Sequence, residues 1–362
     1  MNKLIIVGQQ PPPYYGQSIM IQTLVKGLYK NFDVDFIPMR FSRQIKENGN
    51  FGFYKIFHMI VLTFRILKRL RKHPNSTLYY PPAPPKKITI LRDWFILSFT
   101  KHAAKKIIFH FHAYGFSDFF DKNPSYRFFK KPFMNPDVSI VMGLSCRKDA
   151  EFILSKKIYE IPCGIDISNF NQINHTKKIS GRILFVGLHV ESKGVLEIIE
   201  TAFELKKANL DFCIHTVGAW KNKKIKKEFF KRRADLRLEN HVIYRGELLG
   251  KDLIKEYEEA SIFFFPTFYE FETFGIVLIE AMASGLVIVS SDWRGPSDVV
   301  KDKITGKICP VHDINHYALS LADLIGDNDK ALNMGSKGKE LANEKYTNDH
   351  FVKNMEKIFG EK

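Results

Sequence analysis

Two carboxylates, Glu272 and Glu280, lie in the segment 266–290, PTFYEFETFGIVLIEAMASGLVIVS, with seven residues between them. A short apolar run ends at Phe265-Pro266, and a polar loop carrying Glu270 and Glu272 follows. A helix is expected from Phe274-Gly275 to Ser284, with Gly285 as its C-terminal cap, before the next apolar run. The first backbone N–H groups of such a helix, at Phe274, Gly275 and Ile276, lack partners within it. Aided by the helix dipole, they can hold a phosphate. Glu280 stands about a turn and a half into a helix otherwise built of Ile, Val, Leu, Ala and Met. A lone carboxylate on so apolar a helix needs partners, and sugar hydroxyls suit it because a carboxylate accepts two at once. From the pattern alone, an equal reading has Glu280 facing solvent and Glu272 as an ordinary loop charge. A second pattern, His110-Phe111-His112, follows another apolar run. Its spacing suits a metal pair, but no Asp or Cys cluster accompanies it, and no metal is expected.

The elements that must position these residues alternate β then α along the chain. Residues 4–7 form a continuous apolar run ending at Gly8, the mark of a buried parallel strand. Apolar positions at helical spacing follow over 17–30, then runs at 34–37, 78–80, 107–111 and 138–142. The series restarts at 182–187, with a helical pattern at 194–207 and runs at 212–218, 241–244, 262–266 and 286–290. Two such series imply two doubly wound α/β domains with parallel sheets. The break lies near 160–180, where Pro162, Gly164 and a polar run at 168–181 interrupt the pattern. Open parallel sheets bind ligands beyond the carboxyl ends of their strands, so two domains face to face would make a cleft.

The segment 266–290 resembles the signature of glycosyltransferase family 4, the retaining GT-B transferases of the glycosyl transferases group 1. The match consists of a Glu, seven residues and a second Glu, with Phe-Gly after the first and Ala-Met-Ala-x-Gly after the second. The resemblance implies that Glu272 contacts a donor sugar and that Glu280 holds the ribose hydroxyls of its nucleotide. The amides of Phe274, Gly275 and Ile276 would touch the sugar and the diphosphate. Residues 187–194, Gly-Leu-His-Val-Glu-Ser-Lys-Gly, resemble the loop that supplies a Lys and an Arg to the diphosphate. Lys193 stands at the Lys position and Leu188 at the Arg position, so one cation is missing, and Arg245 or the 274–276 amides are candidates to offset it. Residues 161–166 resemble the Pro-Asn-Gly-Val-Asp junction, with Cys163 for Asn, and residues 294–300 and 305–306 resemble the family's late loops. In the first half, residues 11–16 resemble the glycine loop after the first strand, with Tyr15 where a first Gly is common; Gly16 would let backbone approach the donor phosphates. His112 fits the His near the reacting sugar. By this resemblance the fold is GT-B, two Rossmann-like domains facing across a cleft, at 1–165 (acceptor) and 166–345 (nucleotide sugar). A closing helix at 346–362 would cross back to the first domain.

Of 362 residues, 45% are apolar and 26% charged, which fits a folded chain rather than a disordered or polytopic membrane one. Residues 4–8 are too short for a secretory core, so no leader is expected. Cys146, Cys163, Cys213 and Cys309 are too scattered for a disulfide framework or a zinc site, which suits a reducing, cytoplasmic compartment. The net charge of +16 is one-sided: residues 1–162 hold 26 Lys/Arg against 10 Asp/Glu, and residues 163–362 hold 29 of each. Such an excess implies an anionic partner. Residues 53–72 repeat Ile56, Ile60, Phe64 and Leu67 at helical spacing among six Lys/Arg, and a second apolar-basic stretch follows at 88–106. That pattern suits either a core helix with a solvated basic end or a helix in a membrane interface. The charge favours the membrane, with the chain peripheral on its inner face.

The reaction expected is transfer of a hexose from a UDP- or GDP-sugar to a saccharide acceptor, lipid-linked, with retained configuration and without metal or cofactor. Cell-surface polysaccharide synthesis (O-antigen, capsule or lipopolysaccharide) is its expected setting. A nucleotide-sugar epimerase of the same architecture is the alternative. A phosphorylase would need a phosphate or cofactor-lysine motif that is not seen, and no nucleic-acid module accompanies the basic pI of 9.4.

Overall fold

The first strand, β1 (Leu4–Gly8), is buried at every position, as a continuous apolar run demands of a strand covered on both faces. In the computed structural model, which describes residues 3–12, 16–28, 32–41, 53–173 and 177–361, it joins five others. These are β2 (Val34–Pro38), β3 (Thr77–Tyr80), β4 (Lys106–His110), β5 (Val138–Val141) and β6 (Lys157–Glu160). All pairings are parallel, in the order β2-β1-β3-β4-β5-β6. Helices α1 (Gly16–Leu28), α2 (Phe53–Lys72), α3 (Lys87–Thr100), α4 (Phe116–Lys122) and α5 (Arg147–Phe152) alternate with the strands. Leu62, Ile66 and Leu70 of α2 and Ile90, Ile96 and Leu97 of α3 pack with Ile5, Val7, Leu78, Ile107 and Phe109 of the sheet. The buried Asp93 of α3 accepts from the Tyr80 hydroxyl at 2.7 Å and the Ala83 N–H at 2.8 Å, which fixes the Pro-rich loop after β3.

The second sheet restarts the pattern. A short α6 (Ser168–Asn171) precedes β7 (Arg182–Val186), α7 (Val195–Lys207), β8 (Cys213–Val217), α8 (Lys223–Asp235), β9 (Val242–Gly246) and α9 (Gly250–Glu259). Then come β10 (Ile262–Phe265), α10 (Ile276–Ala283), β11 (Val287–Ser291), α11 (Arg294–Val299), β12 (Gly306–Cys309), α12 (Ile314–Gly326) and α13 (Asn328–Lys345). The strand order is β12-β11-β10-β7-β8-β9. The chain enters at β7, winds outward to β9, returns to the other side at β10 and winds outward to β12. The loops after β7 and β10 therefore diverge at a topological switch point, where open sheets take their ligands.

The two compact units are Met1–Gly164 with Asn348–Lys362, and Ile165–Thr347. The last helix, α14 (Asn348–Gly360), belongs to the first unit. Phe359 sets its ring 6.1 Å from that of Phe32 and 5.9 Å from that of Tyr79, and the Tyr159 hydroxyl donates to Glu361 at 2.6 Å. Two strands escaped the sequence reading, β6 and β12. Both are sheet edges, where no continuous apolar run is required, and β6 leaves both ends exposed. Among the described residues no helix is long and apolar enough to cross a membrane.

Phe351 of α14 is 2% exposed. Phe351→Ala is expected to cost about 3 to 5 kcal/mol and to speed amide exchange throughout the first unit, α1 and β1 included. Exchange accelerated only within residues 165–347 would contradict this placement of α14.

Candidate functional site

The loop after β7 turns through a single 3-10 turn at Glu191–Lys193 and ends at Gly194, which caps α7 with φ +78°. A Cβ at Gly194 would stand 2.1 Å from the Pro266 carbonyl oxygen, so only glycine lets this loop lie on the one after β10. The Phe268 N–H then donates to the Ser192 carbonyl at 2.8 Å. The neighbouring strand β11 grips the same loop from the other side. Ser290 Oγ donates to the Phe265 carbonyl at 2.7 Å, Ser291 Oγ donates to that of Thr267, and Trp293 Nε1 donates to that of Tyr269 at 2.9 Å. Gly295 presses on the same loop: a Cβ there would meet the Thr273 carbonyl group at 2.3 Å and Phe274 N at 2.4 Å.

Held in this way, the two loops bring Lys193 and Glu272 together, and the ammonium donates to Oε2 of the carboxylate. Both side chains are largely buried, at 16% and 9% exposure. The Lys193 nitrogen also sits 4.9 Å from the ring centre of Phe265 and 5.1 Å from that of Tyr269, so the cation is surrounded by π faces as well as paired. Thr267 Oγ1 lies 3.4 Å from the same carboxylate oxygen. Burial, with Glu272 and Glu270 nearby, pushes the Tyr269 hydroxyl up to about 12, so it remains a donor.

Helix α10 begins where the sequence placed it. Gly275 caps it with φ +81°, and Gly285, with φ +69°, ends it in the left-handed conformation. The Phe274 side chain is buried, with its ring 5.5 Å from that of Tyr346. Glu280 is half-buried rather than facing bulk water, and accepts from the Tyr257 hydroxyl at 2.8 Å. Burial drives its carboxyl up to about 7, against the lowering influence of that bond. Tyr257 on α9 was not singled out from the sequence. It stands among charged residues on α9, and only the need of its buried hydroxyl for an acceptor links it to Glu280.

The missing cation is not restored by its neighbours. Leu188 is half-buried, and His189 beside it is wholly buried among Phe185, Trp220, Phe229 and Tyr244. Burial takes His189 down to about 4, so it is neutral near pH 7. Arg245 does not join Lys193 and Glu272. Its Nε donates at 2.7 Å to Glu256, a buried carboxylate that also meets His215 Nδ1 at 2.6 Å. That carboxylate needs both partners, which explains why Arg245 turns to α9 instead.

In the first unit, Gly16 is the exposed first residue of α1, while Pro13, Tyr14 and Tyr15 lie outside the described residues. His112 follows β4, half-buried, with its ring 4.0 Å from that of His110; burial takes it down to about 3, so it acts as a neutral imidazole. His110 shares a hydrogen bond of 2.7 Å with the Tyr79 hydroxyl. Asp149, missed in the sequence, holds the following loop by accepting from the N–H groups of Gly115, Phe116 and Ser117 at 2.8 to 3.0 Å. Among the described residues no group of three or more His, Cys, Asp or Glu could hold a metal ion.

Residues 166–341 match the family model described as glycosyl transferases group 1. The chain is 30% identical over 202 residues to the poly(ribitol-phosphate) alpha-N-acetylglucosaminyltransferase of Staphylococcus aureus (strain COL), covering 53% of this chain and 38% of that protein. It is 26% identical over 178 residues to the phosphatidyl-myo-inositol mannosyltransferase of Mycolicibacterium smegmatis, covering 48% and 44%. The chain thus spans less than half the length of either relative. Among solved structures, sucrose-phosphate synthase from Thermosynechococcus elongatus superposes with a TM-score of 0.74 at 17% identity, over 99% of this chain and 98% of that one. Anabaena HepE in complex with UDP-glucose gives 0.71 at 15% identity, over 98% of each. These likenesses establish the fold, which is the GT-B architecture the sequence implied.

Because the folded Glu280 carboxyl titrates near 7 against an ordinary 4.5, the native state holds a proton that the unfolded chain has lost between those values. Its contribution to stability therefore falls as pH rises through that window, and the loss is complete above it. Glu280→Gln keeps the acceptor for Tyr257 but cannot ionise. The variant is expected to unfold at higher denaturant than wild type at about pH 8, by roughly 2 to 3 kcal/mol, and to match it near pH 5. Parallel stability–pH curves for the two proteins would refute the assignment.

Proposed function

We propose that this chain, whose residues 166–341 belong to the glycosyl transferases group 1 family, moves a hexose from a nucleotide diphosphate sugar to a saccharide hydroxyl with retention at the anomeric carbon. The observation that carries the reading is the Lys193–Glu272 pair at the switch point of the second sheet, next to the N-terminus of α10 and eight residues before Glu280. A diphosphate offered to Lys193 competes with Glu272 for the same ammonium. Once the phosphate takes that cation, the Glu272 carboxylate is released to accept from sugar hydroxyls. The amides of Phe274, Gly275 and Ile276 add donors to sugar and phosphate, and Glu280, ionised, accepts from the ribose.

In the reaction, the bond between the anomeric carbon and the β-phosphate oxygen breaks, and the acceptor oxygen bonds to that carbon from the same face. The acceptor's proton passes to the departing phosphate, leaving a glycoside and a nucleoside diphosphate. Negative charge grows on the leaving phosphate, where Lys193 and the α10 amides stabilise it without reorganising. We assign His112, a neutral imidazole, to a hydrogen bond with the transferred sugar, and Gly16 to close backbone approach to the phosphates. Arg245, bound to Glu256, takes no part. Neither metal nor cofactor enters. Two relatives carry phosphate-bearing polyols in their names, poly(ribitol-phosphate) and phosphatidyl-myo-inositol. With the basic first half of this chain, those names favour a lipid-linked acceptor and a role in cell-surface polysaccharide synthesis.

Purified protein incubated with UDP-, GDP- and ADP-sugars and a lipid-linked saccharide is expected to yield a glycoside whose anomeric proton coupling matches the donor's. Lys193→Gln and Glu272→Gln should each lower kcat/KM by about 10²-fold or more. Altered free nucleotide sugar without acceptor would indicate an epimerase, and undiminished transfer by both variants would remove these residues from the mechanism.

A further inference from the structure

Helix α2 has two apolar stripes and only one core to bury them. Leu62, Ile66 and Leu70 face the sheet. A second stripe is left in water: Tyr54 is 63% exposed, Phe57 66%, Ile60 49% and Phe64 67%. Spacings of three and four residues put these four on one face. The same face continues one turn further as Lys68 and Arg71, both exposed. Scattered apolar residues on a surface need no explanation, but a row of aromatic and branched side chains along one helix marks a binding face.

The charge of α2 narrows the occupant. The helix carries Lys55, Arg65, Lys68, Arg69, Arg71 and Lys72 and no acidic residue. Arg69 meets Asp35 at 3.5 Å, while Arg65, Lys68, Arg71 and Lys72 are exposed. The adjoining α3 presents Lys87, Ile88 and Phe99 to solvent as well. Face-to-face pairing of two copies would bring cations against cations, which disfavours self-association. An anionic sheet with an apolar interior answers both features at once, because rings can enter it while long basic stems hold their charges at its surface.

We propose that the Tyr54–Phe57–Ile60–Phe64 face of α2 docks this protein on an anionic lipid bilayer, with Lys68, Arg71 and Lys72 among the headgroup phosphates. Of the four apolar residues that helical spacing groups in this segment, Ile56, Ile60 and Phe64 are exposed and Leu67 is half-buried, while Tyr54 and Phe57 extend the exposed row. The surface lies wholly on the first unit and does not depend on sugar transfer.

The full chain is mixed with vesicles of phosphatidylcholine, with or without about a third phosphatidylglycerol, and separated by flotation. Binding to the anionic vesicles only, weakened by salt, is expected. Phe57→Ser with Phe64→Ser, and separately Lys68→Glu with Arg71→Glu, should each reduce that binding about tenfold or more. All four residues are exposed, so thermal unfolding should stay as in wild type, and either pair suffices should the other fail to fold. A Phe64→Trp variant should shift its emission to the blue when anionic vesicles are added. Equal binding to neutral vesicles, unchanged binding by a folded variant pair, or unshifted emission from the Phe64→Trp variant would overturn the proposal. So would a dimer, or a complex with duplex DNA, that the Phe57/Phe64 pair abolishes while vesicle binding persists.

Discussion

The ion pair between Lys193 and Glu272 joins two loops that leave neighbouring strands in opposite directions, and the chemistry proposed for the second unit depends on it. Neither charge can be left alone in so dry a setting. A buried ammonium or carboxylate without a partner costs several kcal/mol, and each of these relieves the other. Everything around the pair acts to keep its two loops in register. Gly194 removes the side chain that would push the first loop off Pro266, and Gly295 does the same for the backbone at Thr273 and Phe274. The hydroxyls of Ser290 and Ser291 and the indole of Trp293 take up carbonyl groups that an irregular loop would otherwise leave unsatisfied. In the proposed reading, an anion that replaced Glu272 at Lys193 would find the cation already placed.

Most of this frame is legible in the sequence because parallel sheets announce themselves. Central strands such as β1 and β10 are buried on both faces and read as unbroken apolar runs. Glycines that cap α7 and α10 stand where chain reversal requires positive φ. The edges were not legible: Lys157-Ile158-Tyr159-Glu160 is amphipathic enough to pass for a loop and becomes a strand only because β5 offers its open side. In the site, the family resemblance singled out Lys193, Glu272 and Glu280, but not the groups that each of them meets. Tyr257 and Trp293 reach the site from other elements, and no local pattern encodes that. Arg245 shows the converse: an arginine after a strand invited a phosphate role, while the residue that decides its direction, Glu256, lies eleven positions on, on α9.

The same limit applies to α2. A helical pattern with apolar residues at several phases cannot say which stripe a sheet will cover. The fold decides it, and the choice of Leu62, Ile66 and Leu70 leaves the larger side chains outside. Burying Phe57 and Phe64 instead would have gained more apolar contact, so the orientation is set by shape against the sheet and by the cost of burying Lys68 and Arg71, which share the aromatic face.

The Leu188 side chain, where the family resemblance implies an arginine, bears on how the proposed site would hold a diphosphate. Leu188 brings no charge, His189 is neutral by burial, and Arg245 is committed to Glu256. The cation that meets Glu272 is then also the one on which the phosphate relies, so in the proposed reading the two binding events are linked through a single ammonium. With a second fixed cation, diphosphate could bind while Lys193 stayed on Glu272, and the sugar-facing carboxylate would remain occupied. With Lys193 alone in that role, phosphate binding itself frees Glu272. A nucleoside diphosphate without its sugar would therefore leave a newly unpaired carboxylate in a largely buried position. The intact donor would satisfy it with hydroxyls, and this difference favours the whole nucleotide sugar over its product.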